Sequence, residues 1–180
     1  MKKIFKIVLS FLLILSLIGC GNEILEEDTI GEFSAQDFEG DTVTEKIFSE
    51  YDLTMVNLWT TTCSYCIEEM PYLEELRQEF VDEGKNFNII SLCMDLGKVG
   101  EINEDNLAIA KEIIEKTEVT YKNLIPDDNL LNGRLKDVQA FPESFFVNRD
   151  GKIVSQAYIG ANSKNHWRVI MKDEFSKIEN

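Results

Sequence analysis

The chain has 180 residues, 44% of them hydrophobic and 10% aromatic, enough to bury a core and to exclude global disorder. Acidic residues outnumber basic ones 33 to 18, a formal charge of −15, and this excludes the basic footprint that nucleic-acid binding needs. The length fits one domain with a short appendage, and four cysteines (Cys20, Cys63, Cys66 and Cys93) do not make a disulfide framework.

The first element is a targeting segment. Lys2, Lys3 and Lys6 precede an apolar run over residues 7–18, broken only by two serines. That run is short for a transmembrane helix, which needs about 20 residues, and a basic start with a short apolar stretch reads as a secretory signal. Leu17-Ile18-Gly19-Cys20 resembles a bacterial lipobox, which implies cleavage before Cys20 and acylation of its thiol. Residues 1–19 are therefore read as a lipoprotein signal peptide, with Cys20 as the lipid attachment. Cleavage removes three lysines and no acid, leaving 15 basic and 33 acidic residues and a formal charge of −18. Anionic headgroups repel such a surface, so membrane attachment falls to the lipid. Residues 20–31 read as a lipidated acidic tether, with a reach of at most about 35–40 Å.

Residues 32–180 form the expected folded domain. Residues 35–44 carry a turn signal at Glu39-Gly40-Asp41 between two short strand-like pieces, a hairpin. Residues 55–60 are a short apolar strand. From residue 64 to 81 the spacing turns helical, with Ile67, Met70, Leu73, Leu76 and Phe80 on one stripe. Residues 87–94 read as a second buried strand, 106–118 as a second helix and 129–138 as a short third one. Residues 145–147 and 153–158 flank the turn Asn148-Arg149-Asp150-Gly151 as a second hairpin, and residues 166–178 close the chain as a helix. Strand–helix–strand units demand a parallel core. The fold class is α/β: a central mixed sheet with helices on both faces, an N-terminal β-hairpin, and antiparallel strands at one edge.

The chemistry lies in Cys63-Ser64-Tyr65-Cys66, where the first apolar strand gives way to the long helix. A helix N-terminus carries unpaired N–H groups and partial positive charge. These stabilise a thiolate and lower its pKa below the free value of about 8.5. Cys63, the more exposed, is the expected nucleophile; Cys66, one turn on, resolves the mixed disulfide. A structural zinc site wants four ligands, and His166 is the one histidine of the chain. A purely structural disulfide would close a loop too short to constrain the unfolded chain much.

From Phe33 onward the sequence resembles the TlpA/ResA-like branch of the thioredoxin superfamily. The resemblance rests on Asn57-Leu58-Trp59, Cys63-Ser64-Tyr65-Cys66, Glu69-Met70-Pro71, Val138-Gln139-Ala140-Phe141-Pro142 and the run from Phe145 to Val154, in that order. It implies a thioredoxin-like fold and a cis-proline at Pro142 opposite the cysteines. It also implies substrate binding by Trp59, Phe141 and Pro142, with the Phe141 backbone pairing by strand addition and Trp59 shielding the site. Glu69 is implied to be a buried carboxyl that exchanges a proton with the Cys66 sulfur, and burial would raise its pKa. Pro71 matches a proline within the family's long helix and should kink it. Thr62, Ser64-Tyr65 and Glu143-Ser144 depart from the family pattern. Cys93 reads as a small buried hydrophobe.

The resemblance implies an extracytoplasmic thiol–disulfide oxidoreductase that reduces disulfides of exported or surface proteins, in cytochrome c maturation or repair. Its electrons would come from a CcdA-like membrane donor. No cofactor, metal or nucleic acid enters this reading, and the protein is expected as a monomer. An oxidant that introduces disulfides would use the same residues. A copper assembly factor would need C-x-x-x-C and a distant histidine, and the spacing here is one residue shorter. Thr60 and Cys63 make the T-x-x-C of peroxiredoxins, but Val56 stands where that family has proline.

Overall fold

The structure is a computed structural model and describes residues 29–178. The expected signal peptide, Cys20 and most of the expected tether lie outside the described residues.

An N-terminal hairpin, β1 (Ser34–Asp37) and β2 (Thr42–Thr44), runs into a 3-10 helix over Glu45–Glu50. Asp37 Oδ1 closes the hairpin turn by accepting the N–H groups of Glu39 and Asp41 at 3.1 and 2.8 Å. Strand β3 (Leu53–Trp59), helix α1 (Ser64–Asp82) and strand β4 (Phe87–Cys93) follow. The two-residue strands β5 (Gly97–Lys98) and β6 (Glu101–Ile102) then form a small ribbon ahead of helix α2 (Glu104–Thr117) and strand β7 (Lys122–Ile125). The chain closes with helix α3 (Asp128–Asn132), strands β8 (Glu143–Asn148) and β9 (Tyr158–Ile159), and helix α4 (Lys164–Ile178).

The main sheet has the order β2-β1-β7-β4-β3-β8-β9. Strands β3, β4 and β7 are parallel. The hairpin pairs antiparallel with β7 at one side and β8 pairs antiparallel with β3 at the other. Antiparallel strands thus flank the parallel core at both edges, not at one. The cause is β7, which the sequence reading missed: its four residues include Lys122 and Asn123, so no apolar run marks it.

Both crossovers, β3–α1–β4 and β4–α2–β7, step across the sheet in the same direction. Right-handed connections then place α1 and α2 on one face. Alternation along the strands agrees. Leu53, Met55, Trp59, Phe87, Ile89 and Phe146 pack into one cluster with α1, α2 and α4. Val56, Leu58, Ile90, Leu92, Phe145 and Val147 pack into the other, under the 3-10 helix and α3. Met70, Leu73, Leu76 and Phe80 of α1 are buried as expected, and each contributes roughly 1.5–3 kcal/mol by leaving water. Ile67 is only half-buried; Cys66 and Glu69 take the inward positions at the start of the helix. Pro71 sits inside α1 without ending it. The helix stops at Gly84, at φ 81°, where Gly84 N–H bonds Val81 O and Lys85 N–H bonds Phe80 O.

Three further boundaries differ from expectation. The third helix runs 128–132, not 129–138, because the backbone leaves the helical region at Gly133, at φ −98° and ψ −118°; a side chain there would meet the Asn129 carbonyl at 2.7 Å. The return arm of the second hairpin is not continuous over 153–158. Phe146 N–H bonds the Ser155 hydroxyl in place of a backbone acceptor, at 2.9 Å, and pairing resumes only at Tyr158 and Ile159. The tether ends before residue 31: Thr29 bridges Lys152, and Ile30 is buried with its N–H on Gly151 O. Among the described residues no helix is long and apolar enough to cross a membrane.

Candidate active site

Strand β3 delivers the chain to the C-terminal end of the parallel strands. A tight turn follows, in which Cys63 N–H bonds Thr60 O at 3.1 Å. Cys63 is the N-cap of α1, and its Sγ accepts the Cys66 N–H at 3.2 Å. The two cysteines form a disulfide with their Cα atoms 5.3 Å apart. Cys63 is partly exposed and Cys66 is wholly buried, the asymmetry the sequence suggested. When the bond opens, a sulfur anion at Cys63 faces the free N–H groups of the helix end, which favour negative charge.

Glu69 lies one turn beyond Cys66 and is 1% exposed. Its carboxylate is held from three other elements. Asn57 Nδ2, on β3, donates to Oε1 at 3.2 Å; the Asn162 N–H and the Trp167 indole N–H, before and within α4, donate to Oε2 at 3.2 and 2.9 Å. Burial raises the carboxyl above its ordinary pKa, and these three donors oppose the rise without cancelling it. Asn57 also donates to Ser144 Oγ at 3.0 Å, so one buried amide joins Glu69 to β8. The side chain of Trp167 packs in the core against Tyr158, with ring centroids 5.9 Å apart.

Phe141–Pro142 is a cis peptide bond, as the resemblance implied. Pro142 is buried and Phe141 half-buried. Pro142 O accepts the Gly160 N–H at 2.8 Å, and neither backbone group of Phe141 is hydrogen-bonded among the described residues. Glu143 follows and is buried. Arg134 pairs with it at 2.9 Å and stacks over the Phe145 ring at 4.1 Å, so this acid is compensated inside the fold.

Trp59, expected to contact substrate, is wholly buried and presents no surface to one. Its indole N–H donates to Ser91 Oγ at 3.2 Å, and Ser91 donates in turn to Asn123 Oδ1, a polar ladder across β3, β4 and β7. Cys93 is buried at the end of β4, opposite Trp59 in register. His166 is exposed on the first turn of α4. Asn57, Trp167 and Asn162 were not singled out from the sequence as partners of Glu69; the one local sign was the Asn57 amide inside a mainly apolar strand, buried along its length.

The profile of the Redoxin family matches residues 26–169, four fifths of the chain. The chain belongs to this family. Within the Redoxin family it is TlpA/ResA-like, of the thioredoxin superfamily. It is 29% identical over 117 residues to a thiol-disulfide oxidoreductase ResA from Bacillus thuringiensis, covering 65% of this chain and 60% of that protein. It is 26% identical over 142 residues to a thiol:disulfide interchange protein DsbE from Haemophilus influenzae, covering 78% of this chain and 69% of that one. The chain thus spans less than two thirds of the length of the ResA relatives. A thioredoxin family protein from Chlorobium tepidum superposes with a TM-score of 0.64 at 16% identity, over 83% of this chain and 97% of its own. That likeness establishes the thioredoxin-like fold.

The Trp167 indole gives this Redoxin site a test. Trp167→Phe keeps most of the packing and removes one donor from a buried carboxylate. Loss of a hydrogen bond to a charged group should cost about 1.5–3 kcal/mol, read as a lower urea midpoint at neutral pH. Protonating Glu69 lifts that penalty, so the deficit should shrink on acidification. A constant deficit between acidic and neutral pH would mean that only packing was lost.

Proposed function

We propose that this protein is an extracytoplasmic, membrane-anchored thiol–disulfide oxidoreductase. Its substrates would be disulfides of exported or surface proteins, and its role reductive, as in cytochrome c maturation or repair. The observation that carries the reading is the order of groups along α1: Cys63 capping the helix, Cys66 buried one turn on, Glu69 buried one turn further. The names of the ResA and DsbE relatives support the same chemistry.

The cycle follows from this order. The Cys63 thiolate attacks one sulfur of a substrate disulfide; that bond breaks and the departing sulfur leaves as a thiolate. Glu69, as carboxylate, takes the proton from the Cys66 thiol. Cys66 then attacks Cys63 Sγ, releases the second substrate sulfur and closes the Cys63–Cys66 disulfide. A donor of two electrons must reopen it, and a CcdA-like membrane protein is the proposed source. Phe141, with its backbone unpaired, is the proposed edge for an extended substrate segment beside Pro142. The anchor is the lipid on Cys20, and the protein acts as a monomer.

The test is the reduction potential of the Cys63/Cys66 pair in a series of glutathione or dithiothreitol buffers. A value below about −220 mV, toward the thioredoxin end, is expected for a reductant. A value near about −120 to −180 mV would instead assign disulfide formation to the same residues.

A further inference from the structure

Strand β4 ends beside the turn that carries Cys63, and one carboxylate spans the gap. Asp95 Oδ1 and Oδ2 accept the Thr61 N–H at 3.1 and 3.0 Å, and Oδ2 also accepts the Thr61 hydroxyl at 2.6 Å. The Cys93 thiol donates to Oδ1 at 3.2 Å. Asp95 is itself fixed from behind, because its carbonyl accepts Asn106 Nδ2 of α2 at 2.7 Å. Met94 N–H bonds Trp59 O at 2.8 Å, which ties the two strand ends together just before this clamp.

Two consequences follow from that geometry. Thr61 stands two residues before Cys63, so the turn Thr60–Cys63 is held at Thr61 by three donor–acceptor contacts to one side chain. Cys93 shares a packed cluster with Cys66 and Cys63. As a thiolate it could attack their disulfide, forming a bond to one sulfur and expelling the other. An adjacent carboxylate that takes the S–H as a donor opposes loss of that proton. Burial first, and Asp95 second, push the Cys93 thiol above its ordinary range.

We propose that Asp95 is a positioning residue of the redox site: it fixes the turn that presents Cys63 and holds Cys93 as a thiol outside the exchange. The inference rests on reading Cys63 and Cys66 as the redox pair. It accounts for a third cysteine in the same packed cluster as a disulfide that, on that reading, opens and closes without scrambling.

The experiment uses the full chain, oxidised, with peptide mapping to separate Cys93 from Cys20. In Asp95→Asn, one carbonyl oxygen remains for Thr61 but the charge is gone. Alkylation of Cys93 by iodoacetamide should become about tenfold faster or more, as expected when a like charge is removed from beside a thiol. The equilibrium constant of the Cys63/Cys66 pair with glutathione should move toward the dithiol by a similar factor, because the turn that favours the closed pair is loosened. If either quantity stays within about twofold of wild type, the proposal is overturned. Should Asp95→Asn not fold, Thr61→Val decides. It loses one clamp contact and leaves Cys93 untouched, so a shifted equilibrium constant supports the proposal and an unchanged one ends it. Failure of the wild-type pair to cycle at all would defeat the proposed function instead, and the alkylation of Cys93 would still read out Asp95.

Discussion

Cys63→Ser should reduce the rate of reduction of a small disulfide substrate to the uncatalysed background. Serine keeps an acceptor at the helix cap, where Cys63 now receives the Cys66 N–H at 3.2 Å, so α1 should retain its start and the fold its stability. What disappears is the nucleophile: a hydroxyl of ordinary acidity does not attack sulfur at neutral pH, and the half-positive helix end cannot make up the difference. Cys66→Ser should behave differently. The partly exposed Cys63 can still attack, but nothing buried one turn on resolves the product. Mixed disulfides between Cys63 and substrate proteins should accumulate and survive on a non-reducing gel. Equal, partial activity in both variants would contradict the division of labour between the two positions.

Glu69→Gln should slow turnover and flatten its pH dependence while leaving the domain folded. The variant fits the site. Asn57 Oδ1 is buried and has no partner among the described residues. A half-turn of the Asn57 amide would place that oxygen against the introduced glutamine as an acceptor for its NH2 group, and Ser144 could donate to the same oxygen. The same rotation would serve wild-type Glu69 when it carries a proton. The stability signature has a definite sign. Burial raises the Glu69 pKa in the folded protein above the unfolded value near 4.5. The folded state therefore holds the proton more tightly than the unfolded state. Its contribution is fully present below the unfolded pKa and falls as pH rises through the folded one. Measured by urea unfolding, Glu69→Gln should gain on wild type as pH rises from about 4.5. If the difference between the two proteins is constant with pH and turnover is unchanged, Glu69 is not the proton carrier.

The parts of this fold that declare themselves in the sequence are those where a local pattern and a burial pattern coincide. Strand β3, helix α1 and the first hairpin were legible because their apolar spacing or turn residues are self-contained. The Cys63/Cys66 pair was legible because its meaning comes from position at a strand–helix junction. What stayed hidden depends on long-range pairing. Strand β7 is polar at Lys122 and Asn123 because Asn123 answers Ser91 and Lys122 pairs with Asp37. The break in the last hairpin hangs on one hydroxyl, Ser155, acting as a backbone carbonyl would. The donors to Glu69 come from residues 12, 93 and 98 positions away, and no periodicity joins such distances. Nothing in the sequence sets Asp95 apart from the other members of a set of 33 acidic residues.

Two of the three donors to Glu69 lie 93 and 98 positions further along the chain. A nascent polypeptide presents Cys63 and Cys66 well before Asn162 and Trp167 have followed. During that interval the sheet can begin to pair and the cysteines can meet other thiols, but the carboxyl beside them has no settled surroundings. The proton transfer proposed for Glu69 therefore waits on α4. A chain cut short before Lys164 would carry the dithiol without the Trp167 donor to Glu69, and a change that disturbs α4 would alter the surroundings of that carboxyl.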